Sequence, residues 1–213
     1  MTRIVLVRHG QTAWNRKVRF RGQTDVKLNE FGVRQAEAAG RYVAARWPVA
    51  AVYASRMSRA MQTADAIARA CGLTAQPLAG LLDVSFGQWQ GLSPDEVTQR
   101  DPDLYRAWLE APHTVQFPGG ESLDVVRGRV LDGLEEVVAR HPGETVALVS
   151  HAVVNRVLLC AVLGLGNEHF WRLQQDTCAV NVFDVKEGAA CDDWRAFTLV
   201  LMNDTCHLQA LPR

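Results

Sequence analysis

Short apolar runs alternate with amphipathic stretches along most of the chain. Residues 4–7 form a continuous, largely β-branched run, which is typical of a strand buried on both faces. Similar runs over residues 50–54 and 145–149 predict two more buried strands, and a short strand is expected near 74–78. Helical patterns separate these runs, which indicates a layered α/β fold.

Four longer helices are expected between and after these strands. Asn29 is a suitable N-cap for a helix that runs to about residue 47, where Pro48 stops it. A second helix is expected from about 56 to 71. Ser122 can cap a third that runs to about 140, with apolar residues recurring every four positions. The fourth covers about 152–163.

The remaining segments complete the predicted architecture. Residues 81–118 are rich in glycine and proline and are expected to form loops with one or two short helices. Runs over 179–185 and 196–202 predict a C-terminal hairpin. We therefore expect a three-layer α/β/α fold with a mainly parallel central sheet and an antiparallel edge. It would be one domain over 1–213, with a small lobe or lid region around 81–118.

Composition narrows the classes of partner. The 213 residues carry 23 basic and 23 acidic side chains, so no global field favours nucleic acid or an acidic membrane. No run approaches the roughly 18 apolar residues of a membrane span. The five cysteines are scattered and form no Cys-x-x-Cys pair, which favours a reduced, cytoplasmic protein without a disulfide framework. The oligomeric state stays open, a homodimer included.

Chemically active side chains follow three of the predicted strands. Arg8 and His9 come after the first strand, Arg56 and Arg59 open the helix after the second, and His151 follows the third. Ligands of open parallel sheets bind outside the carboxyl ends of the strands, so these groups are expected at one edge. Guanidinium groups grip phosphate, and they also disfavour imidazolium and keep His9 neutral. Each residue alone is compatible with a structural role, but together they predict phosphoryl transfer to His9.

Several blocks of sequence resemble the histidine phosphatase superfamily, in its phosphoglycerate mutase-like branch. They lie in the family's order at residues 6–15, 21–25, 55–64, 86–91, 118–122, 149–151 and 203–208. The resemblance spans nearly the whole chain and is far more specific for the superfamily than for a substrate. It implies a phosphoglycerate mutase-like fold and no metal or cofactor.

The resemblance also assigns roles to individual residues. It makes His9 the nucleophile and completes the phosphate pocket with Arg8, Arg59 and His151, with Asn15 as a polar neighbour. In the loop that contacts the rest of the substrate, the matching residues are Arg21, Gly22 and Gln23. The family's spacing favours Arg59 over Arg56, which is expected at the surface.

One catalytic position departs from the family pattern. The usual proton donor is a glutamate, and the matching residue here is Asp83. Aspartate can protonate the leaving oxygen and then activate water. Its side chain is one methylene shorter, so its backbone must lie closer or a water must intervene. The apolar neighbours Leu82 and Phe86 are expected to raise its pKa.

The sequence favours a metal-independent phosphomonoester hydrolase that acts through phosphohistidine on a small phosphorylated metabolite. The first alternative is a bisphosphoglycerate-dependent phosphoglycerate mutase, whose long basic insertion matches a short, acidic stretch at 93–117 here. The second is a catalytically weakened phosphate-binding or regulatory protein, for which Asp83 leaves room. A metal-dependent hydrolase with His9 and His151 as ligands lacks the necessary carboxylates. The sequence does not reveal the substrate.

Overall fold

The computed structural model describes residues 1–211, apart from the side chain of Arg16; residues 212 and 213 of the predicted domain lie outside the described part. The strands are β1 (Thr2–Arg8), β2 (Val49–Ala54), β3 (Ala75–Pro77), β4 (Thr145–Ser150), β5 (Val180–Val185) and β6 (Phe197–Asp204). The helices are α1 (Ala13–Arg16), α2 (Glu30–Arg46), α3 (Ser58–Cys71), α4 (Pro94–Arg100), α5 (Pro102–Glu110), α6 (Leu123–Arg140) and α7 (Ala152–Val162). Short 3₁₀ turns lie between them.

The six strands form one sheet in the order β3-β2-β4-β1-β5-β6. The first four are parallel to one another, whereas β5 is antiparallel to both β1 and β6. The predicted mainly parallel sheet with an antiparallel edge from the final hairpin is therefore confirmed. Arg8 pairs with Ser150, and Ala54 with Val149, so the carboxyl ends of β1, β2 and β4 lie at one level.

Helices cover both faces of the sheet. In β1 the side chains of Ile4 and Leu6 join a core with α6 and α7, while those of Val5 and Val7 join a core with α2 and α3. All four side chains are inaccessible to solvent, because a central parallel strand is covered on both sides. The predicted three-layer α/β/α architecture is confirmed.

Side-chain caps fix the starts of the two long helices where the sequence predicted them. Asn29 accepts a hydrogen bond from the backbone N–H of Gly32 at 2.8 Å, and Ser122 accepts one from Val125 at 3.3 Å. Helix α3 begins at Ser58, two residues later than expected, because the chain first turns away from the end of β2.

Residues 81–118 form α4, α5 and several short turns. The aromatic side chains of Trp89, Trp108 and Phe117 are buried there and pack into the same core as α6 and α7. The predicted role of this segment as a small lobe or lid stays a prediction. Within residues 1–211, no helix combines the length and apolar character that crossing a membrane requires.

The start of α2 lies directly against the loop that follows β1. A Cβ atom added to Gly10 would lie 2.6 Å from the carbonyl oxygen of Gly32, and one added to Gly32 would lie 2.0 Å from that of Gln11. Real Cβ atoms do not approach backbone so closely, so glycine is required at both positions. This contact fixes the backbone on either side of His9.

Gly32→Ala is therefore expected to lower the free energy of unfolding by at least about 2 kcal/mol, since neither backbone can retreat without distorting the loop. Gly128→Ala in α6 is the matched control, because its added Cβ would have no neighbour within 4 Å. It should leave stability unchanged or raise it by up to about 1 kcal/mol. Urea unfolding curves measure both, and equal stabilities would contradict the close contact at Gly32.

Candidate active site

Adjacent strands place His9 and His151 side by side. His9 follows β1 and His151 follows β4, and the N–H of His9 donates to the carbonyl of Ser150 at 2.9 Å. The two ring centroids lie 5.2 Å apart, and each residue is about 1% exposed. The predicted meeting of these histidines at one sheet edge is what the structure shows.

His9 is neutral and has a defined tautomer. Its Nδ1 lies 2.7 Å from the carbonyl oxygen of Gly10, an acceptor, so Nδ1 carries the proton and Nε2 a free lone pair. Burial, then His151 and the neighbouring arginines, lower the pKa of His9 well below its usual 6.5. The prediction that His9 is held neutral is confirmed.

Arg59 connects the parts of the site. It lies in the first turn of α3 with no exposed surface, and its guanidinium donates to the carbonyls of Gly22 at 2.7 Å and Thr24 at 2.9 Å. The same group donates to the carboxylate of Asp83 at 2.8 Å and, from Nε, to Nδ1 of His151 at 3.2 Å. Arg59 therefore orients the two groups beside it through one planar fork.

The contact with Arg59 also sets the tautomer of His151. Because the Nε–H of Arg59 can only donate, Nδ1 of His151 accepts and Nε2 carries the proton. That buried Nε2 has no hydrogen-bond partner within the described residues. Burial lowers the pKa of His151 to about 3, although Asp83 opposes the shift and the arginines add to it. His151 is thus a neutral donor whose proton has no acceptor.

The carboxylate of Asp83 is paired with Arg59 at 2.8 Å and lies 3.3 Å from Nδ1 of His151. How it reaches the leaving oxygen of a substrate, from a closer backbone or through a water, stays a prediction. Burial alone would raise the pKa of Asp83, but the positive charges of Arg59 and Arg21 and the hydrogen bond from Arg59 outweigh it, and the net pKa is lowered. The expectation that apolar neighbours raise its pKa is therefore wrong. The free protein holds Asp83 ionised.

Two further arginines, both half-buried, add positive charge. The guanidinium of Arg8 donates to the carbonyl of Gln175, and its Nε has no partner in the described part of the chain. Burial, followed by repulsion from Arg21 and Arg156, lowers the pKa of Arg8 to about 9. Arg21 donates to the hydroxyl of Thr12 at 3.2 Å, and burial lowers its pKa to about 10. Both remain cations at neutral pH.

The other predicted residues lie nearby in different roles. The side-chain oxygen of Asn15 accepts from the N–H and the hydroxyl of Thr12, which forms the capping contacts of α1. Gln23 donates from its side chain to the carbonyl of Asp83 at 3.1 Å. The carbonyl of Gly22 accepts from Arg59, as described above. In these positions Asn15 and Gln23 brace the site, and their contact with substrate stays a prediction.

Arg56 lies at the surface, three residues before the buried Arg59, as the sequence predicted. Arg56 precedes α3, whereas Arg59 lies in the first turn of that helix, so only Arg59 belongs to the site.

A small cavity opens beside His9 and Asp83. It measures about 120 Å³, and the sequence did not single out two of the residues that line it, Phe20 and Val153. Val153 lies in the first turn of α7, so its position after the third strand was a usable signal. No signal marked Phe20 as a lining residue. The cavity joins cationic and apolar walls next to the two proposed reacting groups.

Comparison with known proteins assigns the family. Residues 4–197 match the model of the histidine phosphatase superfamily, branch 1. The chain belongs to this superfamily. It is 36% identical over 208 residues to phosphoserine phosphatase 1 of Hydrogenobacter thermophilus. The matched region covers 98% of this chain and 95% of that protein. It is 37% identical over 160 residues to metal-independent phosphoserine phosphatase of Arabidopsis thaliana, covering 74% of this chain and 67% of that one.

Solved structures agree with the superfamily assignment. The structure of Bacillus stearothermophilus YhfR superposes with a TM-score of 0.90 at 30% sequence identity, over 98% of this chain and all of that one. The predicted family and fold are confirmed, and so is the predicted class of activity, a phosphatase that acts on small phosphorylated metabolites.

Proposed function

We propose that the protein hydrolyses a small phosphomonoester through a phosphohistidine on His9. The observation that carries this proposal is the 2.7 Å contact between Nδ1 of His9 and the carbonyl of Gly10. It fixes the proton away from Nε2 and leaves that nitrogen as a buried, neutral nucleophile. Release of inorganic phosphate from 4-nitrophenyl phosphate, measured with a chelator present, tests the proposal.

In the first step the phosphoryl group lies among the guanidinium groups of Arg8, Arg21 and Arg59. Nε2 of His9 forms a bond to phosphorus while the bond from phosphorus to the ester oxygen breaks. The Nε2–H of His151 donates to a phosphoryl oxygen, where negative charge is concentrated. The leaving oxygen takes a proton from the carboxyl group of Asp83 and departs as an alcohol.

In the second step water replaces the alcohol. The carboxylate of Asp83 accepts a proton from that water as its oxygen bonds to phosphorus, and the bond from phosphorus to Nε2 of His9 breaks. Inorganic phosphate leaves, and His9 returns to its neutral state. Asp83 is then protonated, as it was at the start of the first step, and it releases this proton to solvent when phosphate leaves.

Because Asp83 is ionised in the free protein, its carboxylate must take up a proton from solvent when the substrate binds. A phosphate dianion beside Arg59 places negative charge next to the carboxylate and competes for its hydrogen bonds. Both effects favour the neutral carboxyl form and raise the pKa of Asp83. We infer that binding of the dianion and protonation of Asp83 are coupled, so that the acid forms only when its substrate is present.

The surroundings of the site bear on substrate and compartment. A cavity of about 120 Å³ equals the volume of roughly four water molecules, which suits a small organic group. Since two relatives are named phosphoserine phosphatases, we propose phosphoserine as the first substrate to test. Three arginines supply the positive charge, in keeping with a metal-independent reaction like that named for the plant relative. Five free cysteines support the proposal of a cytoplasmic location.

The alternatives gain no comparable support. The two arginines of the stretch 93–117 pair locally, Arg100 with Asp101 and Arg106 with Asp103, so they form no clamp for a second phosphate. Conversion of 3- to 2-phosphoglycerate that is stimulated by the bisphosphate, and faster than phosphate release, would favour the mutase. Within residues 1–211 no group of three or more His, Cys, Asp or Glu side chains is arranged to hold a metal.

Asp83→Asn tests the proposed acid. We expect kcat/KM for phenyl phosphate, a poor leaving group, to fall by about 10²-fold or more, because amide cannot donate the required proton. For 4-nitrophenyl phosphate, whose leaving group needs little protonation, the loss should be below about 10-fold. Asp95→Asn, an exposed acid of α4, is the control and should change neither value. Equal losses on both esters would mean that Asp83 has a structural role.

A further inference from the structure

One arginine of α6 holds the backbone that carries Asp83. The guanidinium of Arg129 donates to the carbonyl oxygens of Gly80 at 2.9 Å, Leu82 at 2.7 Å and Asp83 at 3.2 Å. Three carbonyls of a four-residue stretch thus converge on one planar group. The stretch begins in a short 3₁₀ turn, Ala79–Leu81, and continues as a loop, so it has few other ways to satisfy its carbonyl groups.

Glu121 holds that arginine in place. Its carboxylate accepts hydrogen bonds from Nε of Arg129 at 2.8 Å and from Nη2 of the same guanidinium group at 3.1 Å. It also accepts from the N–H of Ser85 at 2.7 Å, and its own N–H donates to the carbonyl of Ser85 at 2.9 Å. The two side chains are 22% and 18% exposed, so the pair is partly sheltered from solvent. Arg129 and Glu121 therefore bond the backbone on both sides of Asp83.

Gly80 allows the segment that carries Asp83 to lie close to α6. A Cβ atom added to Gly80 would lie 2.5 Å from the carbonyl oxygen of Arg129 and 3.2 Å from Cα of Gly133. The chain at Gly80 therefore rests directly on the backbone of α6, and only from there can one guanidinium reach all three carbonyls.

The position of this backbone decides whether a short side chain can act. Aspartate has one methylene less than the glutamate that the superfamily usually carries, yet Asp83 lies 2.8 Å from Arg59. Within the described residues, Arg129 bonds the main chain of Asp83 and not its carboxylate. Its charge is paired with Glu121. Its influence on Asp83 is therefore one of placement rather than of direct electrostatics.

We propose that Arg129, held by Glu121, is the positioning residue that brings the carboxyl group of Asp83 within reach of the leaving oxygen. The proposal rests on the proposed function, and in particular on Asp83 as the acid. It predicts that weakening the Arg129–Glu121 pair slows hydrolysis of esters whose leaving group needs protonation by Asp83. Hydrolysis of esters with a good leaving group should change little.

The experiment compares kcat/KM for phenyl phosphate and 4-nitrophenyl phosphate, since this constant includes departure of the leaving group. Arg129→Met is expected to lower the value for phenyl phosphate by about 10²-fold, as a displacement of about 1 Å can do, and that for 4-nitrophenyl phosphate by less than about 5-fold. Arg129→Lys, which keeps the charge but not the fork, and Glu121→Gln should show the same imbalance to a smaller degree.

Arg3→Met is the matched control. Arg3 forms an equally short two-bonded ion pair with Asp184, at 2.7 and 2.8 Å, on strands β1 and β5. Arg3→Met removes a comparable ion pair but makes no change in the segment 80–85. In this variant the ratio of kcat/KM for phenyl phosphate to that for 4-nitrophenyl phosphate should equal the ratio of the wild type. If Arg129→Met does not fold, Arg129→Lys and Glu121→Gln decide the question.

The double variant Arg129→Met/Asp83→Asn separates the two proposals. If Arg129 acts through Asp83, it should be no slower on phenyl phosphate than Asp83→Asn alone. Losses that multiply, or an unchanged ratio in folded Arg129 and Glu121 variants, would overturn the positioning role. If Asp83→Asn itself shows no preference for the good leaving group, the proposed acid fails instead.

Discussion

Replacing His9 with alanine is expected to lower kcat for hydrolysis of 4-nitrophenyl phosphate by at least about 10⁴-fold. The reason is chemical, because the variant has no atom that can form the bond from nitrogen to phosphorus. A nitrophenyl leaving group needs little help from an acid, so the loss isolates the nucleophile. Stopping the wild-type reaction in alkali with labelled substrate should trap a phosphoramidate on the chain that acid then releases. The His9→Ala chain should carry no label.

His113→Ala is the control for the nucleophile. His113 is exposed and lies in a short turn after α5. Its replacement should leave both phosphate release and labelling unchanged. A His9→Ala protein that keeps wild-type activity would exclude phosphohistidine at this position and with it the proposed mechanism.

Replacing Arg59 with methionine should lower kcat/KM for the same ester by about 10³-fold or more, a loss typical of an arginine that stabilises transferred phosphoryl. The variant removes a guanidinium group that is proposed to contact the phosphoryl group, and it also frees Asp83 and His151 from the group that orients them. It leaves the carboxylate of Asp83 buried without its cation, which is expected to cost about 3–5 kcal/mol of stability. Circular dichroism must therefore establish that the assayed protein is folded.

Two variants complete the test of Arg59. Arg56→Met removes the exposed arginine of the same helix start and should keep full activity and stability. Arg59→Lys keeps the charge, but a single ammonium group cannot bond four partners in the geometry of a fork. Compared with Arg59→Met, Arg59→Lys should regain more of the lost stability than of the lost activity. Full activity in folded Arg59→Met would show that phosphate is bound elsewhere.

Most of the fold follows from local rules that the sequence displays. The strands β1 and β4 are continuous apolar runs, because both faces of a central strand are covered, and such runs need no long-range information to recognise. Asn29 and Ser122 mark helix starts through side chains that bond backbone three residues on. The boundaries that moved, as at the start of α3, depend on turns whose geometry has no comparable signal.

The centre of the site was predictable for a topological reason. Strand ends of a parallel sheet share an edge, so residues that directly follow β1 and β4 must meet, whatever separates them in sequence. That argument brings His9 and His151 together without any alignment. Arg59 was distinguished from Arg56 by the superfamily's spacing, and its burial within α3 agrees.

The parts that sequence could not supply depend on contacts between distant segments. The pKa of Asp83 is lowered by arginines from other elements, whereas the apolar neighbours visible in the sequence suggested the opposite. Asn15 is polar and correctly placed, yet its side-chain oxygen already bonds Thr12. In the sequence Arg129 is one of several charged residues on an amphipathic helix. Its contacts with three carbonyl groups of the segment that carries Asp83 depend on the fold.

The position of β1 in the sheet has a consequence for folding during synthesis. This first strand lies between β4 and β5, which are made only after residues 145–185 have been synthesised. The strand that precedes His9 therefore gains its neighbours only after the intervening residues 9–144 have been synthesised. Such distant pairings form slowly. A chain that ends before β4 would carry His9 without the strand and the second histidine that lie beside it.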